Sequence, residues 1–526
     1  MWARTSLKLP LAPLVALACG FGSVDAQADD DDDGGSFVDP LLEADRGRSH
    51  LDPASTGVWF SLAPEAGVVA RDPVVGGRAG IGFEHPLFAL HLRAPVAARP
   101  LDLPPADAHP SSPMPCAFVR CAEWIDPTTG QFTVESLARL VDEVRVGHRG
   151  DIFHLRAGAL RARLGEGALV DGTWTAPTWD ARRVGAFVDV GLPSRAIVGE
   201  AFVGDLTRAA DLTAGRFTVR PTLFIPGAHD TVWPRFFDRM ALSVEGAADF
   251  GAPSLPYDRL LSERSMLTFA PLVGGNATAS VDVFEENFFF GVRPFVSAGV
   301  LYGLTSEMVN TPGVGGGTQA GATFSLSLPY VGVRATTAMT ADTPSHRHGV
   351  FGALYLLERD RTLPRDAFAK NNRTLAYLPT QGVRDVPARG GIGGLVDVEL
   401  AVHEWLRTGA RVRFDPTSTG NTAEGYVEAA AFGARLASRV VTRGFTGALV
   451  GFSYVEVPHV GDLFALQEQT IFALDLAVPI WGPFSFTTRV LYAPRVAPTG
   501  FYRFDPDVLI GISSDLVVDS PVFDWL

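Results

Sequence analysis

Apolar and polar positions alternate along much of this chain, and the clearest case is the stretch Gly394–His403. Its apolar positions are Val396, Val398, Leu400 and Val402, and the positions between them hold Asp397, Glu399, Ala401 and His403. Successive side chains of a strand point to opposite sides of a sheet, so strict alternation predicts a β-strand. One face of this strand suits an apolar medium, whereas the other carries ionisable groups that need water.

The same alternation predicts strands from Gly57 to Val518, joined either by short Gly/Asp/Pro turns or by long polar excursions such as Gly251–Asn276 and Glu358–Gly391. We expect Ile152–Arg163 to return as the hairpin partner of Leu137–Val146, although a helix could also begin near Val134. Further candidate strands are Val58–Leu62, Ala79–Phe83, Phe88–Leu92, Arg216–Leu223, Ala320–Leu328, Phe472–Val478, Phe484–Tyr492 and Val508–Val518.

The N-terminus has the pattern of an export signal. Arg4 and Lys8 precede the apolar run Leu9–Ala18, and Val24–Ala26 forms a small-residue cleavage site. We therefore expect residues 1–26 to be a secretory signal peptide; a buried helix and lipoprotein processing at Cys19 are the alternatives. Residues 27–55 begin with an acidic run that repels itself, which predicts a disordered tail rather than a calcium loop. The remaining residues 56–526 then form the folded domain.

Composition narrows the class of protein. Hydrophobic residues make up 47% of the chain, yet no later run reaches the length of a membrane-spanning helix. An exported chain of this kind is periplasmic, extracellular or a membrane β-barrel, in which apolar residues occupy every second position. The net charge of −14 argues against binding nucleic acid, which requires clustered basic residues.

Two cysteines remain after Cys19 is removed with the signal peptide. Cys116 and Cys121 lie close together in a chain directed to an oxidising compartment, so we expect them to form one disulfide. The preceding stretch Arg99–Pro115 is rich in proline, which cannot donate hydrogen bonds within a sheet. We therefore expect a rigid loop there, outside the barrel or folded into its lumen.

Three segments carry a resemblance to a known class: Gly147–Asp151, Leu164–Gly167 and Arg220–Thr222, read together with the export signal and the repeated alternation. The chain resembles bacterial outer-membrane β-barrel proteins, including poorly characterised porin-like families. The resemblance implies an all-β transmembrane barrel of roughly 16 to 20 antiparallel strands. It also implies contact with outer-membrane lipids, insertion by the barrel assembly machinery and a possible homo-oligomer.

The chain end departs from that pattern. Barrels inserted by this machinery usually close on a strand with a terminal aromatic residue, whereas this chain finishes with Leu526 after Pro521. We therefore expect the last barrel strand to be Val508–Val518.

Motifs for catalysis or cofactor binding are not apparent in the sequence. The glycine clusters Gly165–Gly167, Gly313–Gly317 and Gly390–Gly394 fit no phosphate-binding fingerprint, and we expect them to serve turns, bulges and bends. His346 and His348 offer two metal ligands, but with no evident acidic partner we expect an exposed loop pair. We predict no enzyme activity, cofactor or metal.

Charged residues on the polar faces are the candidate site. They cannot face lipid cheaply, so we expect them to line a hydrated lumen whose opposed acidic and basic strands orient polar solutes. The alternative is that the charges pair with one another and fill a narrow, closed interior. The lumen-lining candidates are Arg216, Arg220, Asp397, Glu399, His403, Asp475 and Arg489.

The resulting functional prediction is passive passage or binding of small polar solutes, selected by pore width and lumen charge. The loops Arg99–Ile125 and Glu358–Gly391 are candidate constrictions or contact surfaces. The alternatives are a plugged barrel whose loops bind a partner, a barrel hydrolase with a Ser/His or Asp/His site at its rim, and a large secreted all-β protein, whose outward faces would be polar.

Overall fold

The computed structural model describes residues 57–69, 72–85, 87–98, 140–147, 151–175, 183–192, 195–224, 240–254, 268–283, 290–306, 309–328, 330–352, 355–356, 390–403, 405–414, 422–432, 434–443, 470–492, 495–496, 502–503 and 507–519. The proposed signal peptide and acidic tail, Cys116 and Cys121, nearly all of the loops Arg99–Ile125 and Glu358–Gly391, and the chain end after Asp519 lie outside these residues.

Strands dominate the described chain. In chain order they are β1 (Gly57–Val69), β2 (Asp72–His85), β3 (Phe88–Ala98), β4 (Val141–Val146), β5 (Phe153–Gly158), β6 (Arg161–Arg163), β7 (Val170–Trp174), β8 (Gly185–Gly191), β9 (Ile197–Val203), β10 (Thr213–Val219), β11 (Met240–Ser254), β12 (Thr268–Val281), β13 (Phe290–Ser306), β14 (Val309–Leu328), β15 (Val331–Asp342), β16 (Phe351–Gly352), β17 (Gly391–Val402), β18 (Leu406–Phe414), β19 (Thr422–Ala431), β20 (Ala434–Arg443), β21 (Thr470–Trp481), β22 (Phe484–Tyr492), β23 (Arg495–Val496), β24 (Tyr502–Arg503) and β25 (Asp507–Asp519). A short 3-10 helix, Pro221–Phe224, follows β10. Among the described residues, no helix is long and apolar enough to span a bilayer.

A single antiparallel sheet of 20 strands closes on itself. Each of its strands pairs with the next one along the chain, and β25 pairs with β1 from Gly57 opposite Asp519 to Val68 opposite Val508. Closure leaves no unpaired sheet edge, which is the requirement for strands to cross a bilayer. The predicted all-β barrel is confirmed, at the upper end of the expected strand number, and the strand predicted at Val508–Val518 closes it.

The wall is apolar outside and mostly polar inside. In β1, Phe60 and Leu62 are 45% and 60% exposed, whereas their neighbour Trp59 is fully buried. In β17, Val396 and Val398 are exposed while Asp397 is buried between them. The outward face therefore presents an apolar surface, as lipid contact requires.

The two ends of the barrel differ. Turns of a few residues join β2 to β3, β14 to β15, β17 to β18, β19 to β20 and β21 to β22, and all of these turns lie at one end. Exposed aromatic side chains gather at this short-turn end: Tyr330, Trp405, Phe432, Trp481 and Phe484. Aromatic girdles of this kind mark the membrane interfaces of outer-membrane barrels, whose short turns face the periplasm. The longest connections, including the one from β15 to β17, lie at the opposite end.

Strands β6, β7 and β16 do not belong to the wall and form a separate three-stranded sheet. The prediction that Ile152–Arg163 is one hairpin strand is therefore wrong beyond Gly158. Gly158 has a φ of +132°, a backbone conformation that glycine adopts readily, and the chain leaves the wall there. We call residues 159–175 the lumenal insert.

One further prediction of local structure needs correction, whereas the expected role of one glycine cluster agrees with the pairing. The excursion expected at Gly251–Asn276 is shorter, because β11 runs to Ser254 and β12 begins at Thr268. The glycine cluster Gly313–Gly317 lies within β14, and Gly313 borders a register shift in the pairing with β13, which agrees with the role expected in bulges.

Candidate functional site

The lumenal insert contacts inward-facing side chains from both sides of the barrel. One of its sides meets β10 to β13, and the other meets β17 to β19. Contacts to strands so far apart around the wall place the insert inside the lumen. It comes from the end that carries the long connections, because β5 ends there and β8 begins there.

A tight glycine turn presses the insert against the first wall. Gly165 and Gly167 have φ values of +98° and +66°. A Cβ atom on Gly165 would lie 1.5 Å from Arg216 Nη1. That guanidinium donates hydrogen bonds to Leu164 O at 2.8 Å and to Ser243 Oγ at 2.9 Å. Glycine is thus required where the backbone meets Arg216.

Two further wall residues hold the insert at this turn and just after it. The carboxylate of Glu245 in β11 accepts hydrogen bonds from Leu169 N at 2.9 Å and Val170 N at 3.0 Å. Asn276 Nδ2 in β12 donates to Gly167 O at 2.7 Å. Buried wall side chains therefore take the place of a neighbouring strand and satisfy the backbone of the insert.

An apolar cluster lies beneath this polar contact. Its members, all buried, come from the insert, from β8 to β13 and from the segment around β16: Leu160, Ala162, Leu164, Ala168, Leu169, Val170, Phe187, Phe202, Leu212, Ala247, Ala252, Leu272, Leu301, Val350, Phe351, Tyr355 and Leu356. The insert is thus packed against this wall as a globular core would be, which makes it a fixed part of the lumen.

Ion pairs join the other side of the insert to β17 and β18. Arg163 Nη1 lies 3.1 Å from Asp397 Oδ2, and its Nε lies 3.3 Å from Asp171 Oδ1. Arg411 Nη1 lies 2.9 Å from Asp171 Oδ1, and Arg411 Nε donates to Asp397 Oδ2 at 3.0 Å. Arg413 also pairs with Asp171. Two carboxylates and three guanidinium groups therefore form one buried network across the lumen.

Arg161 extends this network to the next strand. Its Nη2 lies 3.0 Å from Glu424 Oε1 in β19, and its guanidinium carbon lies 5.8 Å from the centre of the Tyr426 ring. The alternation Arg161-Ala162-Arg163 thus sends two cations toward β17 to β19 and one methyl group into the apolar cluster. The insert is amphipathic with the period of a strand.

Both carboxylates of the insert are held in the ionised form. Burial by itself would raise the pKa of Glu166, but the guanidinium groups of Arg293 and Arg216 outweigh it and lower that pKa to about 2. Burial opposes ionisation of Asp171 too, and Arg411 and Arg163 hold its pKa far below the usual range. The insert therefore carries two negative charges at neutral pH.

The segment after β15 completes the lumen structure. β16 pairs in parallel with β7, and Phe351 N donates to Leu169 O at 3.2 Å. Tyr355 Oη donates to Asp249 Oδ2 of the wall at 2.8 Å. Two connections from the same end of the barrel therefore meet inside it.

The seven residues predicted from sequence lie in different surroundings. Arg216 and Asp397 contact the insert directly. Asp475 and Arg489 lie 3.9 Å apart on β21 and β22, where Arg489 also approaches Glu65 of β1 at 3.6 Å. Glu399 in β17 is half-buried opposite Arg334 of β15.

The other two predicted residues lie at strand ends. Arg220 follows β10, and its backbone N donates to Ala196 O. His403 is exposed in the turn after β17, with a φ of +45°, near Tyr330 and Trp405. The expectation that His403 lines the lumen is corrected, since the alternation ends where the backbone turns.

Sequence reasoning missed most of the residues that join the insert to the wall: Arg161, Arg163, Asp171, Glu245, Arg411, Arg413 and Glu424. Arg411 and Arg413 carried a usable signal, because they alternate with apolar residues on the strand after Asp397. The insert residues carried no such signal in the sequence, since their partners lie far away along the chain.

His346 and His348 also differ from expectation. They are buried rather than exposed, and Asp342 supplies the acidic partner that was expected to be absent. Asp342 precedes His346 by four positions and His348 by six, so the acidic residue was visible in the sequence. Only the turn after β15 brings its carboxylate into contact with the two rings.

These features define the class of the protein. A closed antiparallel barrel with an apolar exterior, an aromatic girdle and a charged, partly filled lumen is a porin-like β-barrel of the bacterial outer-membrane type.

No protein-family model matches the chain, and none of the curated proteins matches it in sequence. Several solved structures are similar to this chain over most of its length. OccAB1 from Acinetobacter baumannii has a TM-score of 0.30 and 9% identity, covering 90% of this chain and 99% of that chain. OpdK from Pseudomonas aeruginosa, solved with vanillate, has a TM-score of 0.29 and 8% identity, covering 88% and 99%. CdiB from Acinetobacter baumannii has a TM-score of 0.24 and 7% identity, covering 88% of this chain and 60% of that one.

Proposed function

We propose that this protein is an outer-membrane channel for small polar solutes, in which the lumenal insert narrows the path and supplies the charges that select what passes. The carrying observation is the network of Arg163, Asp171, Asp397, Arg411 and Arg413, which joins the insert to β17 and β18 by ion pairs. Apolar packing holds the insert on its other side. The polar side is the one along which water and solutes would move.

Selection in this scheme is physical and involves no covalent chemistry. Guanidinium groups offer several fixed hydrogen-bond donors, and carboxylates offer acceptors. Charges on low-dielectric walls create a strong local field, so a polar solute is oriented as it passes. To pass, a solute must replace its hydrogen bonds to water by hydrogen bonds to these groups, without breaking the ion pairs between the insert and the wall.

A plugged barrel is the second candidate, and the apolar cluster favours it. Side chains of the insert and of the wall strands β8, β9, β11, β12 and β13 pack together in one buried cluster inside the barrel. If the charged side is equally closed, the barrel passes nothing, and its long connections serve a partner instead.

Conductance separates the two candidates. The purified protein is placed in planar lipid bilayers, and single-channel currents are recorded for the wild type and for the double variant Glu166→Gln/Asp171→Asn, which removes both insert carboxylates. Arg208→Gln is the control, since Arg208 is an exposed residue in the turn between β9 and β10.

Each result has a definite meaning. A wild type that conducts, with larger currents in the double variant and unchanged currents in the control, supports the channel. A silent wild type with a conducting double variant identifies a plug. If no form conducts, although heat-modifiable migration shows that each barrel is folded, the channel proposal is rejected.

The proposal includes location and export. The signal peptide would direct the chain across the inner membrane, the assembly machinery would insert it, and outer-membrane lipids would surround the apolar face. Fractionation of cell membranes tests this directly: recovery in the soluble periplasmic fraction would overturn it. Cross-linking in membranes tests the proposed homo-oligomer.

A further inference from the structure

A buried cluster of two histidines and one aspartate lies where β15 leaves the wall. Asp342 is the last residue of β15, and His346 and His348 lie in the turn that leads to β16. Their exposures are 8%, 1% and 5%. One potential ligand atom from each residue lies within 4.8 Å of the other two.

The hydrogen bonds inside the cluster are unusual. Both imidazole rings donate their Nδ1 protons to the same oxygen of Asp342, at 2.5 Å from His346 and 2.8 Å from His348. The Nε2 atoms of both rings are buried, and within the described part of the chain neither has a hydrogen-bond partner. A buried polar atom without a partner is costly, and two in one cluster call for a ligand.

The wall holds the turn in place without help from the histidines. Thr343 N donates to Gly316 O at 2.9 Å, and Gly316 N donates to Thr343 Oγ1 at 2.8 Å. A Cβ atom on Gly317 would lie 2.2 Å from His346 Nδ1, and one on Gly390 would lie 2.8 Å from Pro344 Cδ. The two glycine clusters of the sequence therefore make room for this turn from both sides.

We propose that His346 and His348 bind one divalent first-row transition cation, represented by zinc(II), through their Nε2 atoms, while Asp342 holds both rings by accepting their Nδ1 protons. Imidazole nitrogen is a favoured ligand for this class, whereas calcium and magnesium prefer oxygen ligands throughout. A carboxylate that accepts a proton from a histidine ring is also the group that commonly orients a metal-binding histidine. Neutral imidazoles bind through a lone pair, so loading needs no oxidant or co-reactant.

A bound cation would link the segment after β15, residues 346–352, to the barrel wall. Arg413 Nη1 donates to His348 O at 2.8 Å and to Gly349 O at 3.2 Å, and the same guanidinium pairs with Asp171 of the insert. Val350 and Phe351 follow directly and belong to the apolar cluster. The site therefore sits at the base of the structure that fills the lumen.

The test uses the full-length, untagged protein in detergent, stripped with a chelator. Cobalt(II) is added as a spectroscopic probe, and zinc(II) is then used to displace it. We expect one tightly bound cobalt(II) per chain with visible absorption bands, displaced by zinc(II) and not by an equal concentration of calcium.

Variants locate the site. His346→Ala and His348→Ala should each weaken binding by more than about tenfold, and Asp342→Asn should weaken it as well. His403→Ala, which removes an exposed histidine, should bind as the wild type does. Heat-modifiable migration shows that each variant is folded.

Two results would overturn the proposal. One is a folded wild type that shows no cobalt(II) bands, whatever the variants do. The other is binding that survives unchanged in folded His346→Ala and His348→Ala, which would place the cation elsewhere.

Discussion

At the scale of single residues, backbone conformation decides where the insert can lie. Gly165 meets Arg216 at a distance that no side chain allows, and its positive φ is one that other residues rarely adopt. Arginine dominates the lumen contacts because its planar fork reaches several acceptors at once. A few glycines and arginines thus determine how closely the insert approaches the wall.

Gly165→Ala is expected to displace the insert. The substitution adds a clash with Arg216 to the backbone strain, whereas Gly482→Ala adds strain alone, since nothing lies within 4 Å of its Cβ position. Strain costs on the order of 1–3 kcal/mol. Gly165→Ala should therefore lower the free energy of unfolding well below that of Gly482→Ala. Equal losses, measured by denaturant unfolding in lipid vesicles, would contradict the packing described.

Acidification is expected to loosen the insert. The pKa of Glu166 is lowered from 4.5 to about 2 in the folded protein, so its stabilising contribution is complete above the ordinary carboxyl range and is lost as the pH falls toward about 2. Asp171 acts in the same direction. Hydrogen exchange of residues 164–172, corrected for intrinsic rates, should be faster at about pH 2 than at about pH 5.

Glu166→Gln is the companion variant. It should show part of this loosening at the higher pH and a smaller change on acidification. Protection of the insert that is equal at both pH values in the wild type would count against an electrostatic tether.

At the scale of elements, β6 and β7 behave as amphipathic strands that have left the sheet. Their apolar side packs on β8 to β13, their charged side meets β17 to β19, and wall side chains satisfy their backbone. Glu245 replaces a strand partner for Leu169 N and Val170 N. This carboxylate therefore satisfies two backbone donors at the start of β7.

Glu245→Gln is expected to weaken the hold on β7. An amide keeps one acceptor but turns an NH2 group toward two backbone donors, which leaves a buried group unsatisfied at a cost of about 1–3 kcal/mol. Amide exchange at Leu169 and Val170 should rise while exchange in the barrel strands stays unchanged. Glu428→Gln, at an exposed position, is the control and should leave the insert protected.

At the scale of the whole molecule, the fold follows from closure of the sheet and from the contrast between its apolar outer face and its polar inner face. Every wall strand has two neighbours, so the backbone can enter an apolar medium. The apolar exterior, the aromatic girdle at the short-turn end and the long connections at the other end give the barrel a direction in the membrane. The fold therefore sets both depth and orientation.

Substitution by arginine on the outer face should lower the free energy of unfolding by an amount that depends on depth in the membrane. Val296 in β13 and Val314 in β14 are both exposed, but Val314 lies near the end of the long connections. Val296→Arg should cost about 2–4 kcal/mol at mid-membrane, and Val314→Arg about 0–1 kcal/mol. Denaturant unfolding in phospholipid vesicles measures both. Equal costs would show that the bilayer does not surround the barrel at this height.

The sequence alone was enough for the barrel and for the position of its last strand, because period-two alternation is local and each wall strand repeats it. Asp397, Arg216, Asp475 and Arg489 were predicted to face inward by the same local rule. The insert, the partners Asp171 and Glu245, and the Asp342, His346 and His348 cluster depended on the tertiary structure. Their contacts join residues far apart in the chain or fold back at a turn, and closure of the barrel is what brings them together.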